Sequence, residues 1–383
     1  MKKLIICFFI ILIMPVCVKA DEIPLAESAK SAILLEADTG KVLFEKNADE
    51  KLPPASMTKL MSMLIIIEAI DHGVIKWNQN VTVSENASKM GGSQILLETG
   101  EKMTVRDLFK GVAIASGNDA VVALSEAVAG NENNFINMMN KRAKQLGLKN
   151  TNFKNPHGLD TADHYSSSRD MALIAKELVK HKDVLKYTSI YETYLRENTD
   201  RKIWLVNTNK LVRFKDGVDG LKTGFTRGAG YCMTATAKHD GMRIIAVVMG
   251  QKTSKIRNKE ISEMLDYAFA QYKSIDLLKN KKIGLYKVEN GKSKYAEVIP
   301  KDKAVVVEKK SEKLKNIDYD IKVDTLRAPL KTGDIVGKMY IKMNNKAIKT
   351  INLTVSNDIH KANFINLFMR NVKDMIMGNM KLD

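Results

Sequence analysis

The alternation of apolar and polar positions changes character several times along the chain, and each change predicts an element. Residues 31–44 read as a hairpin: Ala32 to Leu35 are apolar, Asp38-Thr39-Gly40 supplies the turn, and Val42, Leu43 and Phe44 return. Pro53 and Pro54 exclude a helix interior, so residues 57–70 predict a helix that begins just past them. Residues 61–67 are apolar almost all round, which places that helix at the centre of a domain. Residues 104–114 carry Val105, Leu108, Val112 and Ala115 on one stripe, and Ser116-Gly117-Asn118 separates them from a second apolar helix at 120–128. Residues 135–148 and 171–179 read as further amphipathic helices. The glycine-framed stretch 217–224 leads to strands at 231–237 and 244–249, which join through His239-Asp240-Gly241. A helix at 258–272, with Ile261, Met264, Leu265, Ala268 and Phe269 at helical spacing, packs back on them. Together these elements predict an α+β domain, an antiparallel sheet covered by helices.

Beyond residue 275 the pattern shortens. Residues 279–315 hold twelve lysines against five acidic residues, and short alternating runs follow, such as Met339, Ile341, Met343 and then Ile351, Leu353, Val355. This predicts a small β-rich domain at 276–358. The tail, 359–383, puts Phe364, Phe368, Val372, Met375, Ile376 and Met380 on one helix face. It is too interrupted to span a bilayer; it suits either lying along an anionic membrane surface or docking on its own domain.

The first twenty residues stand apart. Lys2 and Lys3 precede an apolar run, and Val18-Lys19-Ala20 offers a cleavage site, so an export signal at 1–20 and a main domain at 21–275 are expected. An uncleaved anchor and a lipoprotein built on Cys17 are the alternatives, and Met14-Pro15-Val16 is a poor approach to a lipidated cysteine. Export leaves Cys232 as the one cysteine of the mature chain, so stability rests on the core and not on a disulfide. Removing the three leader lysines takes the formal charge from +17 to +14, which favours anionic partners. Export and the lack of any aromatic-basic stacking module or zinc-finger spacing argue against nucleic acid. The six histidines show no metal-ligand spacing, and no cofactor motif is present.

Candidate chemistry centres on Ser56-Met57-Thr58-Lys59. Residues three apart share a helix face, so the Lys59 amine can reach the Ser56 hydroxyl, and a buried lysine that has lost its charge can accept the serine proton. Alone, the tetrapeptide is equally an N-capping serine beside a surface lysine. Ser116-Gly117-Asn118 and Lys222-Thr223-Gly224 follow it in order, 60 and 106 residues apart, each where a helix or strand begins or ends.

On these motifs the chain resembles the low-molecular-mass penicillin-binding proteins that are serine D-alanyl-D-alanine carboxypeptidases. The resemblance extends to residues 114–120, to Pro156-His157-Gly158-Leu159-Asp160, to Tyr165-Ser166-Ser167 with Arg169-Asp170-Met171, and to the β-domain and tail. It implies that Ser56 attacks the carbonyl between two D-alanines of a peptidoglycan stem peptide while Lys59 takes its proton. It further implies that Ser116 relays a proton to the departing D-alanine and that Asn118 holds the substrate amide and Lys59. Lys222 and Thr223 would face the terminal carboxylate with Arg257 adding charge, Gly224 would be among the substrate-binding residues, and the backbone N–H groups of Ser56 and Phe225 would form the oxyanion hole, about 3 kcal/mol per donor. Some relatives carry histidine where Phe225 stands, which implies a changed rate or preference. β-Lactams are the implied covalent inhibitors, and the outer face of the cytoplasmic membrane the implied location.

Two rival readings compete with this one. A class A-like β-lactamase shares the order and spacing, but residues 155–170 hold no glutamate to position a deacylating water. A non-catalytic envelope-binding protein would have no use for a costly buried lysine. Lys331-Thr332-Gly333 repeats the third motif inside the β-domain, where a solvated turn is expected.

Overall fold

This computed structural model describes residues 24–278, 283–312, 317–343 and 345–376. The expected export signal lies outside the described residues. A five-stranded antiparallel sheet runs in the order Val42–Lys46, Ser31–Glu36, Met242–Gln251, Gly230–His239, Val218–Thr226. The two-residue period of its strands divides their side chains between two cores. Ile33, Leu35, Ile245, Val247 and Cys232 face a helical cluster, whereas Leu34, Ile244, Ala246, Val248 and Met233 face the helix Ser254–Gln271. Because both faces are covered, Ser31–Glu36 is an unbroken buried run.

The helical cluster surrounds Lys59–Asp71. Ten of its thirteen residues are buried, because the helices Asn118–Ala129, Glu132–Gln145 and Ser168–Leu178 pack around it. At roughly 1.5–3 kcal/mol for each large apolar side chain taken out of water, this packing can hold a lysine at the helix start where no isolated helix could.

Two differences from the sequence reading have physical causes. The stretch around Lys222 is itself the edge strand of the sheet, its β-character masked by Gly220 and Gly224. The helix expected from 258 begins at Ser254, where Thr253 caps the backbone N–H of Ile256 through a polar first turn.

Tyr272–Asp276 continues directly from that helix and pairs with Val305–Lys309. Beyond it, a six-stranded sheet orders Ile317–Val323, Gly337–Met343, Lys346–Val355, Tyr295–Pro300, Gly284–Glu289 and Leu326–Arg327 over a core of Val298, Met339, Ile341, Ile351, Leu353 and Val355. The β-rich character expected there is present. The helix Phe364–Ile376 follows, with Phe364, Ile365, Phe368 and Met369 exposed and Arg370 donating to the Gly291 carbonyl at 2.9 Å. Among the described residues no helix is long and apolar enough to cross a membrane.

Candidate active site

Ser56 lies in the short 3-10 turn Ala55–Thr58, which runs straight into Lys59–Asp71. Ala55 is held at φ 49°, a left-handed conformation that costs an L-residue roughly 1–2 kcal/mol. Two glycines press on this turn from either side. A Cβ at Gly224 would come within 2.8 Å of the Pro54 carbonyl oxygen, and one at Gly158, itself at φ 89°, within 1.9 Å of the Ala55 oxygen. Glycine at both positions therefore lets the edge strand and the 155–160 loop close on the serine.

Lys59 is fully buried. Its Nζ stands 3.2 Å from Ser56 Oγ, 2.7 Å from Asn118 Oδ1 and 2.7 Å from the His157 carbonyl oxygen. The Asn118 amide is oriented by its other end, since Nδ2 donates to the Gly91 oxygen at 2.7 Å. Burial, and after it the charge of Lys222, hold the Lys59 pKa well below the usual lysine value, with Asp119 opposing them. A neutral amine has two N–H bonds and one lone pair. In that neutral form the two shorter contacts, both to pure acceptors, would take the N–H bonds and leave the lone pair for the serine hydroxyl.

Ser116 ends the helix Val105–Ala115 at φ 64° and turns the chain into Asn118–Ala129. Its Oγ is buried with no hydrogen-bond partner among the described residues. Asn118 and Asp119 bind this corner to the segment opposite. Asn118 N donates to the Ser93 oxygen at 2.6 Å, and the buried Asp119 carboxylate accepts from the N–H groups of Ile95, Leu97 and Ala120. Asp119 is thus a clamp across the loop rather than the simple helix cap its position suggests.

Lys222 is buried, and its Nζ donates to the Thr223 oxygen at 3.0 Å. Burial first, then the charge of Arg257, push its pKa down to about 7. Arg257 is buried in its turn, brought down to about 10 by burial, with its guanidinium on Asn258 Oδ1. Neither cation has a carboxylate partner among the described residues. Thr223 Oγ1 donates to Thr208 Oγ1 at 2.8 Å, and Thr208 N to the Ile114 oxygen at 3.1 Å, which joins the edge strand to the Ser116 corner. Two buried basic groups without a counter-ion are costly to charge together, and an anion beside them would lower that cost.

Phe225 follows on the same strand, half exposed, its ring on Tyr231 at 4.3 Å between centroids. His157 and His164 buttress the loop behind the serine. The backbone of Lys154 donates to His164 Nδ1, so Nε2 carries the proton toward Thr58 Oγ1 at 2.8 Å. Burial lowers His164 to about 4 and, with Lys59 nearby, His157 to about 3; both are neutral supports. Among the described residues no group of three metal-ligating side chains occurs. Cys232 is buried filler, and the second K-T-G is a turn tied by Lys331 N to Asp334 Oδ2.

All nine sequence-predicted site residues fall on the Ser56 turn and the start of the helix Lys59–Asp71, on the Ser116 corner, on the edge strand, or on the helix Ser254–Gln271. The sequence reading missed Thr208 and the roles of Asp119, Gly158 and His164. Their partners are distant in sequence, and only the pattern Asn118-Asp119 beside a buried helix hinted at one of them.

A serine one turn from a buried lysine, set under an antiparallel sheet whose edge strand carries a second buried lysine, has the layout of the class of penicillin-binding serine hydrolases. Within it, the chain belongs to the D-alanyl-D-alanine carboxypeptidase family, whose model matches residues 18–253, and the C-terminal domain of penicillin-binding protein 5 matches residues 272–361. It is 50% identical over 352 residues to the D-alanyl-D-alanine carboxypeptidase DacF of Bacillus subtilis, covering 91% of this chain and 90% of that one. Penicillin-binding protein 5 of Haemophilus influenzae superposes with a TM-score of 0.70 at 34% identity, over 87% of this chain and 98% of that one. Penicillin-binding protein D2 of Listeria monocytogenes, in its ampicillin-bound form, gives 0.57 at 32% identity over 63% of this chain and 98% of that one.

Proposed function

We propose that this enzyme removes the terminal D-alanine from peptidoglycan stem peptides through a Ser56 acyl-enzyme and that β-lactams acylate the same serine. The observation that carries the reading is the buried Lys59 amine, its Nζ 3.2 Å from Ser56 Oγ and fixed by Asn118 Oδ1 and the His157 carbonyl oxygen at 2.7 Å each. In acylation Ser56 Oγ bonds to the carbonyl carbon between the two D-alanines while its proton passes to Lys59. The carbon–nitrogen bond then breaks, and the departing amine takes a proton through Ser116, whose unpartnered hydroxyl is free for it. Water attacks the ester in the second half, and Ser56 recovers its proton from Lys59.

Lys222, Thr223 and Arg257 hold the terminal carboxylate, Asn118 and the backbone at Gly224 hold the substrate amide and strand, and the N–H groups of Ser56 and Phe225 receive the oxyanion. Residues 21–275 serve as the catalytic unit and 276–358 as a pedestal. The exposed Phe364, Ile365, Phe368 and Met369 give the 359–383 tail an apolar face for an anionic membrane, while Arg370 turns toward the pedestal. An exported enzyme on the outer face of the cytoplasmic membrane, with no nucleic-acid partner, fits this arrangement. No specific observation favours either rival, and the loop behind Ser56 lacks a glutamate, so deacylation of penicillin is slow.

The test is intact mass after exposure to a labelled penicillin, together with D-alanine release from a peptide ending in D-Ala-D-Ala. Wild type should gain one adduct and release D-alanine, and Ser56→Ala should do neither. Labelling that survives the substitution removes the basis of the reading.

A further inference from the structure

A cleft of about 820 Å³ lies between the catalytic domain and the β-domain, lined by the turn at Asp38 and Thr39, two helix ends, the hairpin tip around Gly241 and the strand edge at Lys349. Its lining holds seven cations, Lys176, Lys180, Lys182, Lys238, Arg243, Lys303 and Lys349, against the carboxylates of Asp38 and Asp302. Some of this charge is answered. Arg243 is held bidentate by Asp219, Lys180 pairs with Glu177 at 2.6 Å, and Lys303 lies 3.5 Å from Asp38. Lys176, Lys182 and Lys238 make no ion pair among the described residues, and Lys349 reaches only the Val305 carbonyl oxygen. Four ammonium groups on facing walls repel one another, and their potential adds in the concavity between two low-dielectric domains.

We propose that this cleft binds a linear polyanion carrying repeated phosphate groups, which bridges the two domains. A single phosphate meets one or two of the four ammonium groups, whereas a chain threaded along the cleft meets them all. Lysine presents a compact charge to a tetrahedral phosphate from any side, while planar carboxylates favour a bidentate arginine. The one arginine on the lining is already committed to Asp219. A flat bilayer cannot enter a cleft enclosed by two domains. The proposal is independent of the catalytic reading, since none of its residues touches Ser56, Lys59 or Lys222.

The test is calorimetric titration of the full chain with long-chain inorganic polyphosphate at several salt concentrations. The triple variant Lys176→Gln, Lys182→Gln, Lys238→Gln should bind about tenfold more weakly or worse, with a shallower salt dependence. The variant Lys287→Gln, Lys338→Gln, Lys346→Gln removes the same charge from exposed positions outside the cleft and should bind as wild type does. Equal loss in both variants overturns the proposal in favour of diffuse charge. Polyglutamate binding as tightly as polyphosphate overturns the phosphate assignment, and orthophosphate competing equally at matched phosphate concentration overturns the chain. Benzylpenicillin acylation, unchanged in both variants, reports that each is folded and separates this test from that of the active site.

Discussion

Asp119→Asn tests whether the active-site corner is held by a charge. Oδ1 of Asp119 accepts from Ile95 N at 3.1 Å and Ala120 N at 2.8 Å, and Oδ2 from Ile95 N at 3.0 Å and Leu97 N at 3.1 Å. Asparagine turns one of these oxygens into an NH₂ donor. Whichever end it occupies, one buried N–H, that of Leu97 or of Ala120, then faces a donor instead of an acceptor. An orphaned buried donor costs about 1–3 kcal/mol, and the bonds that remain lose about 1 kcal/mol more as their acceptor loses its charge. A loss of about 2–4 kcal/mol in urea unfolding is therefore expected. The same substitution removes the negative charge that opposes the fall of the Lys59 pKa. The acid limb of the benzylpenicillin acylation rate should move to lower pH, even as the maximal rate drops because Asn118 loses its brace. A stability change below about 0.5 kcal/mol with the acid limb unmoved would refute the clamp.

Gly158→Ala, which forces a Cβ against the Ala55 oxygen, should cost about 4 kcal/mol or more and abolish penicillin labelling. Gly333→Ala, at φ 100° with open space around it, should cost only about 1 kcal/mol of strain and leave labelling intact; equal losses by urea unfolding would refute the steric argument. The alkaline limb of kcat/KM should fall near the Lys222 pKa of about 7, where the proposed carboxylate receptor loses its proton. Arg257→Gln should lower the plateau yet move that limb to higher pH, because a charge that pushes Lys222 toward neutrality is gone; an unmoved limb counts against the assignment. His157 and His164 titrate near 3 and 4 in the fold and near 6.5 when unfolded, so the unfolded chain takes up more protons below pH 6.5. Urea stability should fall by up to roughly 3 kcal/mol per pH unit between pH 6.5 and 5, before ordinary carboxylates protonate, and a flat profile would exclude these two groups.

The parts of the site legible in the sequence are those whose chemistry is local. Ser56 and Lys59 are one helical turn apart, and Ser116 and Asn118 bracket a helix junction. Periodicity located the central helix because Met61 to Ile67 is apolar on every side, a pattern only full burial explains. What the sequence concealed depends on approach in space. Gly220 and Gly224 disguised the edge strand because they serve its packing, not its propensity; Gly224 is there to clear Pro54. Asp119 shows its role only when the Ile95 and Leu97 amides arrive from another segment, and Thr208 has no signal until Thr223 lies across from it. Ser116 is the reverse case, since its motif was legible while its hydroxyl has no hydrogen bond to its neighbours.

The electrostatics of the pocket give the proposed mechanism an order of events. Lys59, Lys222 and Arg257 lie in sequence through a dry interior, and each of the first two loses basicity to the next cation along. They cannot all be charged cheaply without an anion. A substrate carboxylate against Lys222 and Arg257 supplies that anion and fixes the proton on Lys222, because an opposite charge within contact distance favours the charged form. The carboxylate brings a full negative charge against the fraction of a proton that Lys222, at about 7, still has to gain, so binding does not raise the potential at Lys59, whose lowered pKa rests first on burial. A ligand without the carboxylate leaves Lys222 near its midpoint at neutral pH and forgoes that ion pair. The terminal carboxylate therefore orients and holds the peptide without preparing the base, so blocking it as an amide should raise KM more than it lowers kcat.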